Sequence, residues 1–464
     1  MRPRRTVAAV AALAAVTVFV AGCGRDSGGE LGSEDTPATQ GSTAAAAGDF
    51  GDLKDVCGTG DPKGAPAQGV TASEISVGVF SDVGFTKNSE FDDAAKVFTS
   101  WCNEAGGING RKIAYNLRDS KIFETRQRMI ESCREDFAIV GGGSALDAGG
   151  VEERLKCLLP DIPAQTSQPE NIGSDLQIDA IGAGHSYIRY AGYFNWLLKE
   201  AYPASAGAVG IIAGDSPVTK VIGDQTVEAV QKAGGTVAYN DLYPAAGVSD
   251  WTPYAQALKS KGVKGLVFQG DFRSLAKLEQ VLSSIDYKLD WIDANSNAYG
   301  SAFVELAGDA ISTQNNLADL SGVAPLEVAD EIPAVQKVLD LYKEYAPDAE
   351  VTFPALRAFS SWLLFAESAK ECGDDLTRKC LYDTAREQTK WTAGGLQASV
   401  DITKADAPLK CFNVVQASAD GWKPADFEPD TGVFRCDAPS VKYTGSYGTP
   451  LTLASVGKSL SDLK

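Results

Sequence analysis

The chain has 464 residues, of which 44% are hydrophobic, 22% charged and 9% aromatic. That is enough apolar material for one large or two medium packed domains, and it excludes wholesale disorder, a collagen-like repeat and a disulfide-dense miniprotein. A formal net charge of −19, from 42 Lys and Arg against 61 Asp and Glu, argues against nucleic acid as a partner, because phosphate binding rests on clustered basic residues. The single histidine, His185, leaves no room for a His-based metal centre or an H-E-x-x-H motif.

At the N-terminus, Arg2, Arg4 and Arg5 precede an apolar stretch, residues 7–21, which reads as a secretory signal and is short for a membrane span of roughly 20 residues. It ends in Val20-Ala21-Gly22-Cys23, which resembles the lipobox of bacterial lipoproteins. That resemblance implies removal of residues 1–22, lipidation of Cys23 and anchoring to the outer face of the cytoplasmic membrane. Residues 23–69 are then the lipidated cysteine and a tether, since Gly, Ser, Ala, Thr, Asp and Pro dominate with hardly any large apolar side chain. Only Cys57 suggests that the distal end is pinned.

Nine cysteines are present. With Cys23 assigned to the lipid an even number remains, which suits disulfides in an oxidising compartment. Proximity favours Cys372–Cys380 and Cys411–Cys436. A bridge between neighbouring helices would be Cys102–Cys133, which leaves Cys57–Cys157, although spacing does not determine connectivity. The absence of C-x-x-C argues against zinc and thioredoxin-type chemistry.

From residue 75, β-rich runs alternate with helical periodicity. Residues 75–80 alternate as a strand, and Phe91, Ala94, Ala95, Phe98 and Cys102 share one helical face. Strand 112–117, helix 126–137 and strand 138–140 follow. The scheme resumes with strand 209–212, helix 221–233, strand 237–242, helix 254–259 and strand 266–268. Such alternation means parallel sheets with helices on both faces. Glu104-Ala105-Gly106-Gly107 before residues 113–116 is echoed by Lys232-Ala233-Gly234-Gly235 before residues 237–240, a helix ending at a glycine cap each time. The repeat suggests two similar lobes, although α/β proteins also reuse such caps. A ligand would lie at the carboxyl ends of the strands. Those ends carry Ser81 and Asp82, Ser144 and Ala145, and Gln165, Thr166 and Ser167 in the first lobe. In the second they carry Asp215 and Ser216, Asp271 and Phe272, and Asp293 and Asn295.

No enzyme emerges from these segments. The run Gly141-Gly142-Gly143 is neither a P-loop nor G-x-G-x-x-G, since position 146 is leucine, and it suggests close backbone approach. Gly184-His185-Ser186 fails the nucleophile-elbow pattern at Ile188, and Ser186 is expected to cap a helix carrying Ile188, Tyr190, Phe194 and Leu197. No cofactor is implied.

The stretch Asn103-Glu104-Ala105-Gly106-Gly107-Ile108-Asn109-Gly110-Arg111-Lys112-Ile113, with Asp250-Trp251-Thr252-Pro253-Tyr254 and Ala257-Leu258-Lys259 further on, resembles the branched-chain-amino-acid-type solute-binding proteins of ABC importers. The likeness covers roughly residues 70–400. It implies the type 1 periplasmic-binding fold, α/β with two doubly wound, parallel-sheet lobes joined by a three-segment hinge. Lobe one would be residues 70–183 plus about 325–400, and lobe two residues 184–324 plus about 401–464. It also implies a monomer that closes on a small polar ligand, an amino acid, amide or similar, and delivers it to an ABC permease. A ligand-sensing lipoprotein that signals to a membrane receptor is the alternative. In that family, lobe-one hydroxyls and N–H groups hold a ligand carboxylate, which points to Ser144, Ala145, Gln165, Thr166 and Ser167. A lobe-two acid holds the ammonium. The aligned position is Ala294, and a slip of one residue makes Asp293 the partner. Phe272 and Tyr299 would wall the second lobe, with Phe353 covering the pocket.

Overall fold

The computed structural model describes residues 47–182 and 184–464. The expected signal peptide, Cys23 and most of the expected tether lie outside the described residues.

Ile75, Val77 and Val79 stiffen the first strand and are fully buried along it. This strand, β1 (Glu74–Ser81), pairs in parallel with β2 (Lys112–Asp119), in register from Glu74↔Lys112 to Ser81↔Asp119. β3 (Ile139–Val140) and β4 (Asp161–Ile162) complete a sheet of order β2-β1-β3-β4. Parallel neighbours need crossover connections, supplied by the helices Glu90–Glu104, Thr125–Glu135 and Ala148–Lys156. The expected face of the first, Phe91, Ala94, Ala95, Phe98 and Cys102, is buried throughout.

A second sheet is built from β5 (Val209–Asp215), β6 (Val237–Pro244), β7 (Gly265–Gln269), β8 (Trp291–Asp293) and β9 (Asn316–Asp319), all parallel. After the chain has revisited the first lobe, β10 (Val414–Ser418) and β11 (Gly421–Pro424) add an antiparallel edge, giving the order β11-β10-β9-β8-β7-β5-β6. The molecule is therefore α/β with two parallel-dominated lobes.

The chain crosses between lobes near residues 178–187, 320–332 and 396–413, and the crossings are sewn together. Gln397 Nε2 donates to Ala180 O at 2.8 Å. Ala398 N donates to Gly322 O at 2.8 Å. Asn413 Nδ2 donates to Val323 O at 2.7 Å while its Oδ1 accepts from Gly322 N at 2.9 Å. Between the second and third crossings, helices Pro333–Tyr345 and Phe353–Cys372 pack on Glu90–Glu104, with Phe98 stacked on Trp362 at 5.4 Å.

Four expectations change. Residues 47–69 are not a loose tether but fold onto the first lobe. Phe50 and Val56 are fully buried, Phe50 lies 5.8 Å from Trp101, and Trp101 Nε1 donates to Ala47 O at 2.8 Å. Two large apolar residues and the bridge from Cys57 to Cys102 dock a segment whose average composition is polar. Second, Cys372–Cys380 and Cys411–Cys436 form as expected, but the other pairs are Cys57–Cys102 and Cys133–Cys157 rather than Cys102–Cys133 and Cys57–Cys157. The helix carrying Cys102 packs against Pro333–Tyr345 and Phe353–Cys372, whereas the helix carrying Cys133 packs against Ala148–Lys156, so each cysteine meets a different neighbour.

Third, Ser186 caps no helix. Its N–H donates to Asp406 Oδ1 at 3.0 Å within the first crossing, and the helix starts later, at Ala191–Trp196. Fourth, the chain's end, expected with the second lobe, returns to the first, where Leu453 and Leu463 are buried with Val151, Leu155 and Leu176.

This return makes a strap. Tyr447 Oη donates to Glu228 of the second lobe at 2.7 Å, and Gly445 N does so at 3.0 Å. A few residues on, Leu451 N donates to Glu170 O at 2.9 Å and Leu453 N to Asp175 Oδ2 at 2.7 Å, both in the first lobe. Ending the chain after Ser446 should lower the ligand-free melting temperature by about 5–10 °C, from lost apolar burial, and raise the radius of gyration in small-angle scattering. An unchanged radius would mean that the strap does not restrain the lobes.

Candidate functional site: the interlobe cleft

The first lobe's strand ends are tied by one carboxylate. Asp82, just after β1, accepts from Ser120 Oγ at 2.5 Å, Ile122 N at 2.6 Å, Ser144 Oγ at 3.2 Å and Ala145 N at 2.7 Å. The ends of β1, β2 and β3 thus converge on a buried carboxylate. The structure brings Asp82, Ser144 and Ala145 together, but their polar atoms face one another. Asp82→Ala should cost about 2–4 kcal/mol in urea unfolding.

Ser81 Oγ is likewise turned inward, accepting from Val83 N at 3.2 Å. Thr166 is buried, and Ser167 N donates to Asp147 Oδ2 at 2.8 Å. Asp147 also accepts from Gln168 N and Asn171 Nδ2, both at 2.9 Å, while burial pushes its carboxyl up to about 6. Gln165 lines a cavity of about 30 Å³ inside the first lobe, opposite Arg154 and Asp161, with room for about one water.

The glycine run serves the sheet. Gly141 N donates to Ile162 O and Gly143 N to Phe80 O, both at 2.9 Å, and a Cβ at Gly142 would sit 2.5 Å from Phe80 N. Those two N–H groups are therefore not available to an anion.

The second lobe presents carboxylates of another kind. Asp293 ends β8 and Asp319 ends the adjacent β9; they are 6% and 4% exposed. Asp293 accepts from Asn295 N at 3.1 Å and Asp319 from Ser321 N at 2.7 Å. Among the described residues neither has a cation within 4.0 Å. Burial pushes each carboxyl up to about 7, and Asp293 raises Asp319 further. Ala294, the aligned position, is fully buried, and its N–H donates to Leu317 O at 2.9 Å.

The other second-lobe candidates are dispersed. Asp271 caps helix Phe272–Ser284, accepting from Arg273 N at 3.2 Å, and Arg273 covers the Phe272 ring at 4.7 Å. Asn295 turns a corner at φ +55, with Nδ2 donating to Phe268 O at 3.1 Å. Tyr299 is a core residue, because its Oη donates to Glu327 at 2.7 Å and accepts from Leu326 N at 2.7 Å, beside Trp422. Phe353 opens helix Phe353–Cys372, is buried, and lies where that helix meets the second-lobe turn Ser296–Ala298.

Sequence reasoning missed several groups. Asp319 was hidden by the shortness of β9. Arg357, one turn after Phe353, is 8% exposed, yet among the described residues it makes no hydrogen bond or ion pair. Burial and the nearby Arg189 pull its guanidinium down to about 10. An arginine inside the apolar run Pro354-Ala355-Leu356-Arg357-Ala358-Phe359 was a readable signal. Phe85 and Phe123, 59% and 76% exposed, stack edge-to-face at 6.1 Å, Phe85 on the short helix Val83–Thr86 after β1 and Phe123 on the turn after β2, at the same edge as Asp82.

No curated protein matches the chain. Solved structures do. A fatty acid ABC transporter substrate-binding protein from Thermomonospora curvata superimposes with TM-score 0.66 at 17% identity, covering 83% of this chain and 100% of its own. A leucine-binding protein from Thermotoga maritima gives 0.62 at 12%, covering 75% and 97%. A branched-chain amino acid transporter substrate-binding protein from Streptococcus pneumoniae, in complex with isoleucine, gives 0.59 at 16%, covering 76% and 99%. At these identities the likeness establishes the fold. No helix among the described residues is long and apolar enough to cross a membrane. Residues 75–422 match the periplasmic binding protein family, and the chain accordingly belongs to that family of extracytoplasmic, non-enzymatic solute-binding proteins with the type 1 fold.

Proposed function

We propose that the protein is a lipid-anchored monomer that captures a small polar solute between its lobes and delivers it to an ABC permease in the membrane. The supporting observation is the pair Asp293 and Asp319, two buried carboxylates at the cleft ends of adjacent strands with no cation within 4.0 Å among the described residues. Burying such groups is costly unless something pairs with them. A solute bearing an amine, amide or hydroxyl donor, as an amino acid does, supplies that partner. Contacts to both lobes would shift the population from open to closed about the sewn crossings. Ser144, Ala145, Gln165 and Thr166 would form the first-lobe side of this arrangement, and Phe85, Phe123 and Phe272 would line its mouth. The anchor would be Cys23 after cleavage at residue 22, and Ala47, the first described residue, accepts a hydrogen bond from Trp101 of the first lobe.

The test is a thermal-shift screen of residues 47–464, stripped of ligand by partial unfolding, against amino acids, amides, aromatic acids and sugars. A true solute at about 100 times its dissociation constant adds about 2.7 kcal/mol, a shift of roughly 5–11 °C. A flat response to every class would contradict solute capture.

A further inference from the structure

An acidic protein with two unpaired arginines at its cleft invites a second assignment. Arg357 stands on helix Phe353–Cys372 of the first lobe, and Arg189 follows the first crossing into the second lobe. Arg189 is the leading charge acting on Arg357, ahead of Asp179 and Tyr190. Arg189 also acts on Asp319. Among the described residues, neither guanidinium makes a hydrogen bond or an ion pair within 4.0 Å. Arg357 is 8% exposed and its Nε–H is buried without a partner. The Phe353 ring lies 5.8 Å from its guanidinium carbon. Asp179 attracts it only from beyond ion-pair distance.

Other buried arginines among the described residues each make at least one side-chain hydrogen bond, although Arg111 and Arg154 also leave one nitrogen without a partner. Arg118 holds Asp136 through two hydrogen bonds of 2.9 Å. Arg111 donates to Thr71 O at 2.9 Å and Gly373 O at 2.8 Å. Arg154 reaches Ser174 Oγ at 2.6 Å. A buried charge normally carries such partners, and Arg357 does not. Two guanidiniums brought near one another also repel. What satisfies both is a planar oxyanion, which matches the guanidinium fork with paired N–H donors.

We propose that Arg357 and Arg189 form an oxyanion subsite spanning the two lobes, so that the captured solute is an acid whose carboxylate or phosphate head is gripped there. The inference rests on the solute-binding reading and narrows its ligand class. It also assigns the acid-binding role to side chains on helix Phe353–Cys372 and at the start of the second lobe. The hydroxyls of Ser120 and Ser144, by contrast, are spent on Asp82. Closing the cleft brings one guanidinium from each lobe onto a single anion, so the contact couples binding to closure.

The experiment pairs each acid with its neutral amide: benzoate with benzamide, isovalerate with isovaleramide, L-leucine with L-leucinamide, and inorganic phosphate alone. Thermal shift and calorimetry are run on the ligand-free native protein, Arg357→Met and Arg189→Met. Stabilisation by acids and not by their amides is expected, weakened at least 100-fold in Arg357→Met and about 10-fold in Arg189→Met. Ligand-free Arg357→Met should melt no lower than the native protein, since a lone buried charge has been removed. Phosphate acting in place of carboxylates would name the other oxyanion. Equal response to acid and amide, or undiminished affinity in Arg357→Met, overturns the oxyanion subsite and leaves solute capture standing. A lower melting temperature for ligand-free Arg357→Met reveals a structural partner and overturns it too. A flat response of the native protein to every probe removes both readings.

Discussion

Titrating the ligand-free protein from pH 8 to pH 5 should raise its stability by about 3–5 kcal/mol. Four buried carboxyls carry this effect. Burial pushes Glu279 up to about 8, Asp293 and Asp319 to about 7 and Asp147 to about 6, from ordinary values near 4 in the unfolded chain. Between pH 4 and 8 the folded state therefore binds more protons than the unfolded state. Stability is fullest at the acidic end of that window and is lost as pH rises through the folded values.

Glu279 is the extreme case. It is fully buried, accepts one hydrogen bond of 3.0 Å from Asn316 Nδ2, and leaves both its Oε1 and Asn316 Oδ1 without a partner. A proton on the carboxyl turns Oε1 into a donor beside those acceptors. Glu279→Gln supplies N–H donors permanently and should stabilise the protein at pH 8 by about 2–3 kcal/mol. It should also flatten the pH slope. Urea unfolding at several pH values checks both, and stability that is constant or rising from pH 5 to 8 would contradict the assignment.

Asp293→Asn should weaken solute binding by 10- to 100-fold, about 1.5–3 kcal/mol for a hydrogen bond to a charged group. Without ligand, the same substitution should raise stability at pH 8. The shape is kept, the amide oxygen still accepts from Asn295 N, and the cost of an unpaired buried charge disappears. A carboxylate kept for architecture behaves oppositely, as Asp82 should, where loss of its convergent donors destabilises the empty protein. Calorimetric titration with the solute found by screening, alongside ligand-free melting at pH 8, separates the two roles. Loss of stability with unchanged affinity would move Asp293 from the site to the scaffold.

The layout of both lobes was legible because periodicity records burial directly. Ile75, Val77 and Val79 alternate on a strand, and Phe91, Ala94, Ala95 and Phe98 recur on one helical face. The repeated glycine caps mark a real conformational need, since Gly107 and Gly234 sit at φ +87 and +95. Strand ends were also readable, which put Asp82, Ser144 and Asp293 on the page.

Their roles were not readable, because a role depends on what lies opposite. Asp82 and Asp293 are both aspartates after β-runs, yet one is surrounded by donors from β2 and β3 and the other accepts one backbone hydrogen bond, from Asn295 N. The same limit applies to Cys57 and Cys133, whose partners Cys102 and Cys157 lie 45 and 24 residues away. Phe50 and Leu463 belong to terminal stretches whose average polarity conceals the one or two side chains that dock them.

Capture of a solute between the lobes is tested most directly by hydrogen exchange of the native protein with and without the solute identified by screening. The account predicts slowed exchange at both sides of the cleft together: residues 143–146 and 353–359 of the first lobe, and residues 293–297 and 319–323 of the second. Protection confined to one lobe, or lying on the outer helices with the strand ends unchanged, would contradict it.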